Sequence, residues 1–254
     1  MDWIFEEAKQ AQAGFSPIAV SPTATRWISA EINRGLDIID LVFRLTSNKG
    51  FISGGFARYA ISRKDNPEMP GDIDIFTRNM DEFSNIRTAF GNVEKMKRKS
   101  ESDMEVKYEY TLSSGFHSNV YNIQLIKPLN IARMVSGGSI EDVLENFDFT
   151  IAKSAIKPGI MGSPTAVCHP DFHVHDLEST LVITNIHCPI SSMKRVIKYT
   201  QRGFKIDNKE LLKLFVDYEN RPQDWKNLVH RGINNPQGMS ASERQSFARG
   251  MYMD

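Results

Sequence analysis

Residues 51 to 77, FISGGFARYAISRKDNPEMPGDIDIFT, decide how this chain is read. Phe51 and Ile52 form an apolar lead into Gly54-Gly55, and Phe56-Ala57-Arg58-Tyr59-Ala60 can open a helix. A loop around Pro67 and Pro70 then delivers Asp72-Ile73-Asp74-Ile75-Phe76. That run alternates, so it reads as a strand with Asp72 and Asp74 on one face and Ile73 and Ile75 on the other, buried one. Two carboxylates on one face repel unless a cation sits between them, which makes the pair a site for Mg²⁺ or Mn²⁺, hard ions that take oxygen ligands. The glycine turn lets backbone approach a ligand, and a helix starting behind it favours an anion at its N-terminus. A phosphate cradle followed by metal carboxylates is the layout of phosphoryl or nucleotidyl transfer. A glycine pair alone is a turn and a D-x-D alone is a plain strand. Their order within one strand-loop-strand unit is what carries the chemistry.

These residues resemble the signature of the nucleotidyltransferase superfamily that includes DNA polymerase β. Within it they are most similar to the head domain of class II CCA-adding enzymes and bacterial poly(A) polymerases, with its GG-x-V-R-D turn and D-I-D-h-x-T strand (h apolar). Gly54, Gly55, Arg58, Asp72, Asp74 and Thr77 match; Tyr59 stands where the family has an aspartate. The resemblance implies an α/β (α+β) polymerase β-like palm, a mixed sheet flanked by helices, followed by a small helical neck. It implies that Asp72 and Asp74 are catalytic metal ligands and that Gly54, Gly55 and Arg58 position a nucleoside triphosphate.

Two further stretches extend the resemblance. FDFTIAKSAIK, residues 147 to 157, is similar to the R-R-D-F-T-I-N-A motif associated with the incoming nucleotide. Asp148, Phe149, Thr150 and Ile151 match, while Asn146 and Phe147 replace the arginines, which removes two charge-assisted phosphate contacts. Arg133 and Lys153 are the nearby cations that could replace them. Without the first motif this stretch reads as a plain strand. SSMKRVIKYTQRGFKID, residues 191 to 207, is similar to the neck helix. Arg195, Lys198 and Arg202 fall on one face of it, and Gly203 is a C-terminal stop. Such a stripe is either a solvated face or a contact for triphosphate or nucleic acid. The family's E-D-x-x-R pattern has no copy here. The resemblance covers about residues 51 to 207, head plus neck.

The rest of the chain supports this organisation. Residues 3 to 13 form a short amphipathic segment, and Pro17 and Pro22 break the linker that follows. From 25 to 45 apolar residues recur at three- and four-residue spacing, which predicts a helix. Residues 81 to 98 predict another, followed by a charged, mobile connection. MEVKYEYTL (104 to 112) and VYNIQLI (120 to 126) alternate as strands that extend the sheet holding Asp72 and Asp74. Many polymerase β-like proteins carry a third carboxylate on such a later strand; here Asn122 and Gln124 are the only polar residues of VYNIQLI. A helix is expected near 139 to 146, loop from 159 to 176, a helix over 209 to 220, and a small helical cap after Arg221. The expected division is residues 1–24 as N-terminal helix and linker, 25–175 as head, and 176–254 as neck and cap.

Composition sets the outer bounds. The 254 residues are 41% hydrophobic and 24% charged, which predicts a packed core. Formal net charge is zero, so any nucleic-acid surface is a local patch. No run of about 18 apolar residues predicts a membrane span. An acidic start without an apolar core is no signal peptide, and two cysteines make no disulfide framework, so a cytoplasmic setting is expected. Cys168, His169, His173, His175, His187 and Cys188 cluster in sequence and offer zinc-type ligands, though at no standard spacing. FHVHD alternates, which would set His173 and His175 on one strand face.

The expected function is metal-dependent transfer of NMP from an NTP to a hydroxyl. An RNA 3′ end, tRNA included, is the acceptor the resemblance implies; a protein or small molecule is the other option. The alternative is a catalytically inactive module of the same fold that binds nucleotide or RNA. A zinc-stabilised structural protein is the third. Nothing in the sequence fixes the base, the oligomeric state or the pathway.

Overall fold

The computed structural model describes residues 26–102, 105–114, 117–128, 139–159, 163–186, 188–234 and 236–240. The alternation of the DIDIF run is realised as strand β3 (Asp72–Phe76), with Ile73 and Ile75 buried and Asp72 and Asp74 half-buried. Strand β2 (Phe51–Ser53) lies antiparallel to it, with Ser53 opposite Asp74. Helix α2 (Gly54–Ile61) starts directly from β2. The two predicted alternating stretches form a hairpin, β5 (Glu105–Ser114) and β6 (His117–Ile126), and β6 runs parallel to β3. With β1 (Ile28–Ala30), β4 (Met96–Glu101), β7 (Ser154–Lys157) and β8 (Thr165–Cys168) they make an eight-stranded mixed sheet in the order β1-β8-β7-β2-β3-β6-β5-β4.

One face of the sheet carries the main core. Ile52, Ile73, Ile75, Val106, Tyr108, Ile123 and Leu125 pack there against α1 (Leu36–Leu45), α2 and α3 (Met80–Gly91). The other face is covered only in part. Phe51, Phe76 and Ala155 pack under α4 (Ile140–Glu145), which brings Val143 and Leu144. Among the described residues no helix packs on this face over the first half of β3, where Asp72 and Asp74 lie half-buried beside the polar face of β6 and β5. The chain continues through α5 (Phe172–Leu177), β9 (Thr180–Leu181), α6 (Pro189–Gln201), β10 (Lys205–Ile206), α7 (Asn208–Asn220) and α8 (Gln223–Asn234). Gly203, with φ of 84°, ends α6 as its sequence predicts. Phe149 and Ile151 pack in one cluster with Leu181, Ile183, Val196, Phe204 and Leu214, so the 147–152 segment and the neck share a core. Among the described residues no helix is long and apolar enough to cross a membrane.

Three expectations give way to tertiary pairing. The helix expected over 25 to 45 begins only at Leu36; Gly35, at φ of 72°, separates it from β1, which pairs with β8. The helix expected over 81 to 98 stops at Gly91, and the charged run after it is β4, an edge strand on β5. Exposed edges tolerate Lys and Glu, so no alternation marked it. The 159 to 176 loop contains β8 and α5. FDFTIAKSAIK is a strand only from Ser154; Thr150–Ala152 form a 3₁₀ turn. The segment 3 to 13, Arg133 and His187 lie outside the described residues.

Candidate active site

The glycine turn and the carboxylates meet directly. Gly54 has φ of 70°, and a Cβ placed on it would lie 2.8 Å from Asp74 Oδ2. A Cβ on Gly55 would approach Pro70 Cβ to 3.3 Å. The glycines therefore make room for the protein's own carboxylate and for the loop that carries it, a need that precedes any ligand. Ser53 caps α2 without a side-chain hydrogen bond; its Oγ donates instead to Ser154 O at 2.6 Å. The first backbone N–H groups of α2 thus have no capping oxygen from Ser53 and start beside Asp74.

On the neighbouring strand Asn122 stands opposite Asp72 and Gln124 opposite Asp74. Gln124 Nε2 donates to Asp72 Oδ2 at 2.6 Å, and Asn122 Nδ2 to Gly71 O at 3.1 Å. One strand further, Lys107 stands opposite Gln124, and its Nζ lies 3.0 Å from Glu105 Oε1. The hydrogen bond to Glu105 holds the Lys107 pKa above its ordinary value, partial burial works against it, and the charges of Glu105, Asp72 and Asp74 add to the rise.

Arg58 goes elsewhere. Its Nε donates to Asp176 Oδ1 at 2.9 Å in the interior, and its guanidinium lies 4.8 Å from the centre of the Phe204 ring. Ser62 Oγ donates to the other Asp176 oxygen at 2.5 Å. The Arg58 guanidinium is buried against the neck, because Asp176 is wholly buried and needs a partner. Asp148 and Arg195 are brought together, with Arg195 Nη1 2.6 Å from Asp148 Oδ2. Lys198 and Arg202 lie on the exposed side of α6, and Arg202 Nε reaches Glu68 Oε2 at 3.0 Å, in the loop that leads to Asp72. Lys153 is buried on Glu145, 3.1 Å from its Oε2, and burial lowers its pKa. It does not stand in for the missing arginines.

Among solved structures the chain is similar to a CCA-adding enzyme in complex with ATP, at 18% identity and a TM-score of 0.51, over 85% of this chain and 51% of that one. It is also similar to the Thermotoga maritima CCA-adding enzyme complexed with tRNA_CCA (16% identity, TM-score 0.46, 86% of this chain and 47% of that one). A CCA-adding enzyme in an apo form gives 20% identity and a TM-score of 0.47, over 80% of this chain and 49% of that one. The chain has the fold of the CCA-adding enzymes. It spans about half the length of those structures. No family model matches the chain, and no curated protein matches it in sequence.

Within this CCA-adding-enzyme fold the sequence readily marked Asp72, Asp74 and Gly54. It gave less sign of Lys107 and Asp176. Alternation in MEVKYEYTL puts Lys107 on the polar face, which is the signal for it; the Asp176-Leu177 step is similar to a D-L segment of the same family, but the pairing of Asp176 with Arg58, 118 residues away, has no local signal. The Cys/His cluster does not assemble: among the described residues no group of three or more His, Cys, Asp or Glu could hold a metal ion. His173 and His175 lie on a helix, α5, and not on one strand face. Thr150 Oγ1 lies 2.8 Å from His175 Nδ1, and burial pushes the Cys168 thiol up to about 12, which keeps it protonated.

Proposed function

We propose that this chain is a metal-dependent nucleotidyltransferase that moves NMP from an NTP to a hydroxyl, with an RNA 3′ end as acceptor. One observation carries the proposal. Asp72 and Asp74 lie side by side on the open half of the sheet, against the start of a helix whose first residue has no room for a side chain. The donor set there is oxygen, from two carboxylates, which suits Mg²⁺ or Mn²⁺ rather than zinc. When bound, such a cation neutralises phosphate charge and aligns the displacement.

The chain's own residues do the positioning. Asp72 and Asp74 hold the cation on the sheet, with Asp72 fixed by Gln124. The α2 N-terminus offers N–H groups to a phosphate oxygen. Lys198 and Arg202 add positive charge on the neck helix, and Asp148 with Arg195 forms a polar wall between head and neck. The acceptor oxygen bonds to the α-phosphorus, the bond to pyrophosphate breaks, and the hydroxyl proton leaves to solvent. Positioning and charge neutralisation supply the acceleration. RNA as acceptor rests on the likeness to enzymes whose structures hold ATP and tRNA_CCA.

A second reading, an inactive module that binds nucleotide or RNA, is favoured by Gln124, an amide beside the two acids. An incorporation assay separates the two. Protein is incubated with Mg²⁺, each of four α-labelled NTPs and total cellular RNA, beside an Asp72→Ala/Asp74→Ala control. Label transferred by the wild type alone is the expected result. No transfer, with NTP binding retained, would leave the inactive module.

A further inference from the structure

Asp74, Gln124 and Lys107 stand abreast on three neighbouring strands of the open face. Strands lie about 4.8 Å apart, so the row is roughly 10 Å wide. It runs acid, amide, ammonium. The amide orientation is set by its partner: turned over, the Gln124 oxygen would face an Asp72 carboxylate oxygen, whereas Nε2 donates to it at 2.6 Å. One Asp72 oxygen is therefore occupied by an N–H donor, on the side where β6 passes. Beyond it the Lys107 ammonium is held 3.0 Å from Glu105, with the side chain 48% exposed.

A cation held by Asp72 and Asp74 would take carboxylate oxygens as its ligands. A second cation on the β6 side would meet amide hydrogens and an ammonium, both of which repel it.

We propose that this site holds a single divalent cation, and that Lys107 supplies the second positive charge to the bound triphosphate. The proposal rests on the nucleotidyltransferase reading and names how that site takes its substrate. Lys107 is a half-exposed point charge on a long stem, able to leave Glu105 for a phosphate oxygen. Gln124 is a positioning residue that fixes Asp72.

The test is a count of bound Mn²⁺. Protein is saturated with a non-hydrolysable α,β-methylene NTP and titrated with Mn²⁺, free Mn²⁺ being read by electron paramagnetic resonance. One Mn²⁺ per protein–nucleotide complex is expected. Gln124→Glu, which adds a third carboxylate, is expected to bind two. Lys107→Met keeps the count at one, keeps the far-ultraviolet circular dichroism spectrum, and loses about tenfold in nucleotide affinity, the worth of one charge-assisted contact. Two Mn²⁺ in the wild type, one in Gln124→Glu, or unchanged affinity in Lys107→Met overturns this inference and leaves the nucleotidyltransferase reading standing. Absence of Mn²⁺-dependent nucleotide binding, or binding undiminished in Asp72→Ala/Asp74→Ala, overturns both.

Discussion

Gly54 illustrates what a single residue decides here. Its backbone is left-handed, a conformation that costs an L-residue about 1–2 kcal/mol, and its missing side chain is the space that Asp74 fills. Gly54→Ala is expected to lower stability by at least that amount in urea unfolding and to weaken Mn²⁺ binding as well, since the methyl group would displace a ligand. Gly71→Ala is the control: nothing lies within 4 Å of a Cβ there, and both readouts should stay near wild type. The glycine turn was legible in the sequence, but its neighbour was not. The same holds for Arg58. Its place in the turn was readable; its direction was set by Asp176, a carboxylate on another element that burial leaves with no alternative partner.

At the scale of elements, the β2–α2–β3 unit is held from below by Glu82 in the first turn of α3. Glu82 accepts from Gly50 N at 3.0 Å, Arg78 N at 2.7 Å and Arg78 Nη2 at 2.8 Å. Burial alone would raise its pKa, but these hydrogen bonds and the Arg78 charge outweigh it and hold the carboxyl below its ordinary value of 4.5. The sign follows from linkage. A depressed folded pKa gives stability that is full above 4.5 and is lost as pH falls through the folded value. Glu82→Gln is therefore expected to be less stable than wild type at neutral pH, with the gap closing as the pH drops well below 4.5. Urea midpoints across that range measure it, and a constant gap would contradict the assignment. Element type was readable from the period in β3, β5, β6, α6 and α7, whereas the short alternation of FHVHD, read as strand, belongs to helix α5. It was not readable in β4, whose five exposed residues after Met96 show no alternation and are ordered by pairing with β5 alone.

At the scale of the whole molecule, the neck is part of the head's packing. Phe204, from the turn after α6, is buried with Phe149 and Ile151, and the guanidinium of Arg58 and the ammonium of Lys64 lie over its ring at 4.8 and 4.4 Å. Phe204→Ala is expected to cost about 3–5 kcal/mol. Because the cluster joins both regions, they are expected to unfold in one transition. Variants with Trp27 or Trp225 as the sole tryptophan, one beside His169 near β1 and one against Tyr218 on α7, should give coincident urea curves. Separated curves would mean two independent folding units.

The sequence by itself determined the glycine turn, the face shared by Asp72 and Asp74, the alternation of the β5–β6 hairpin and the stop at Gly203. All of these follow from local dihedral preference and a period of a few residues, which neighbours along the chain set. Only the tertiary structure decided that Gln124 lies against Asp72, that Lys107 completes the row, that Arg58 turns inward and that residues 28–30 and 96–101 are strands. Each of these depends on a partner far away in the chain, whose charge or open backbone hydrogen bonds no local pattern records.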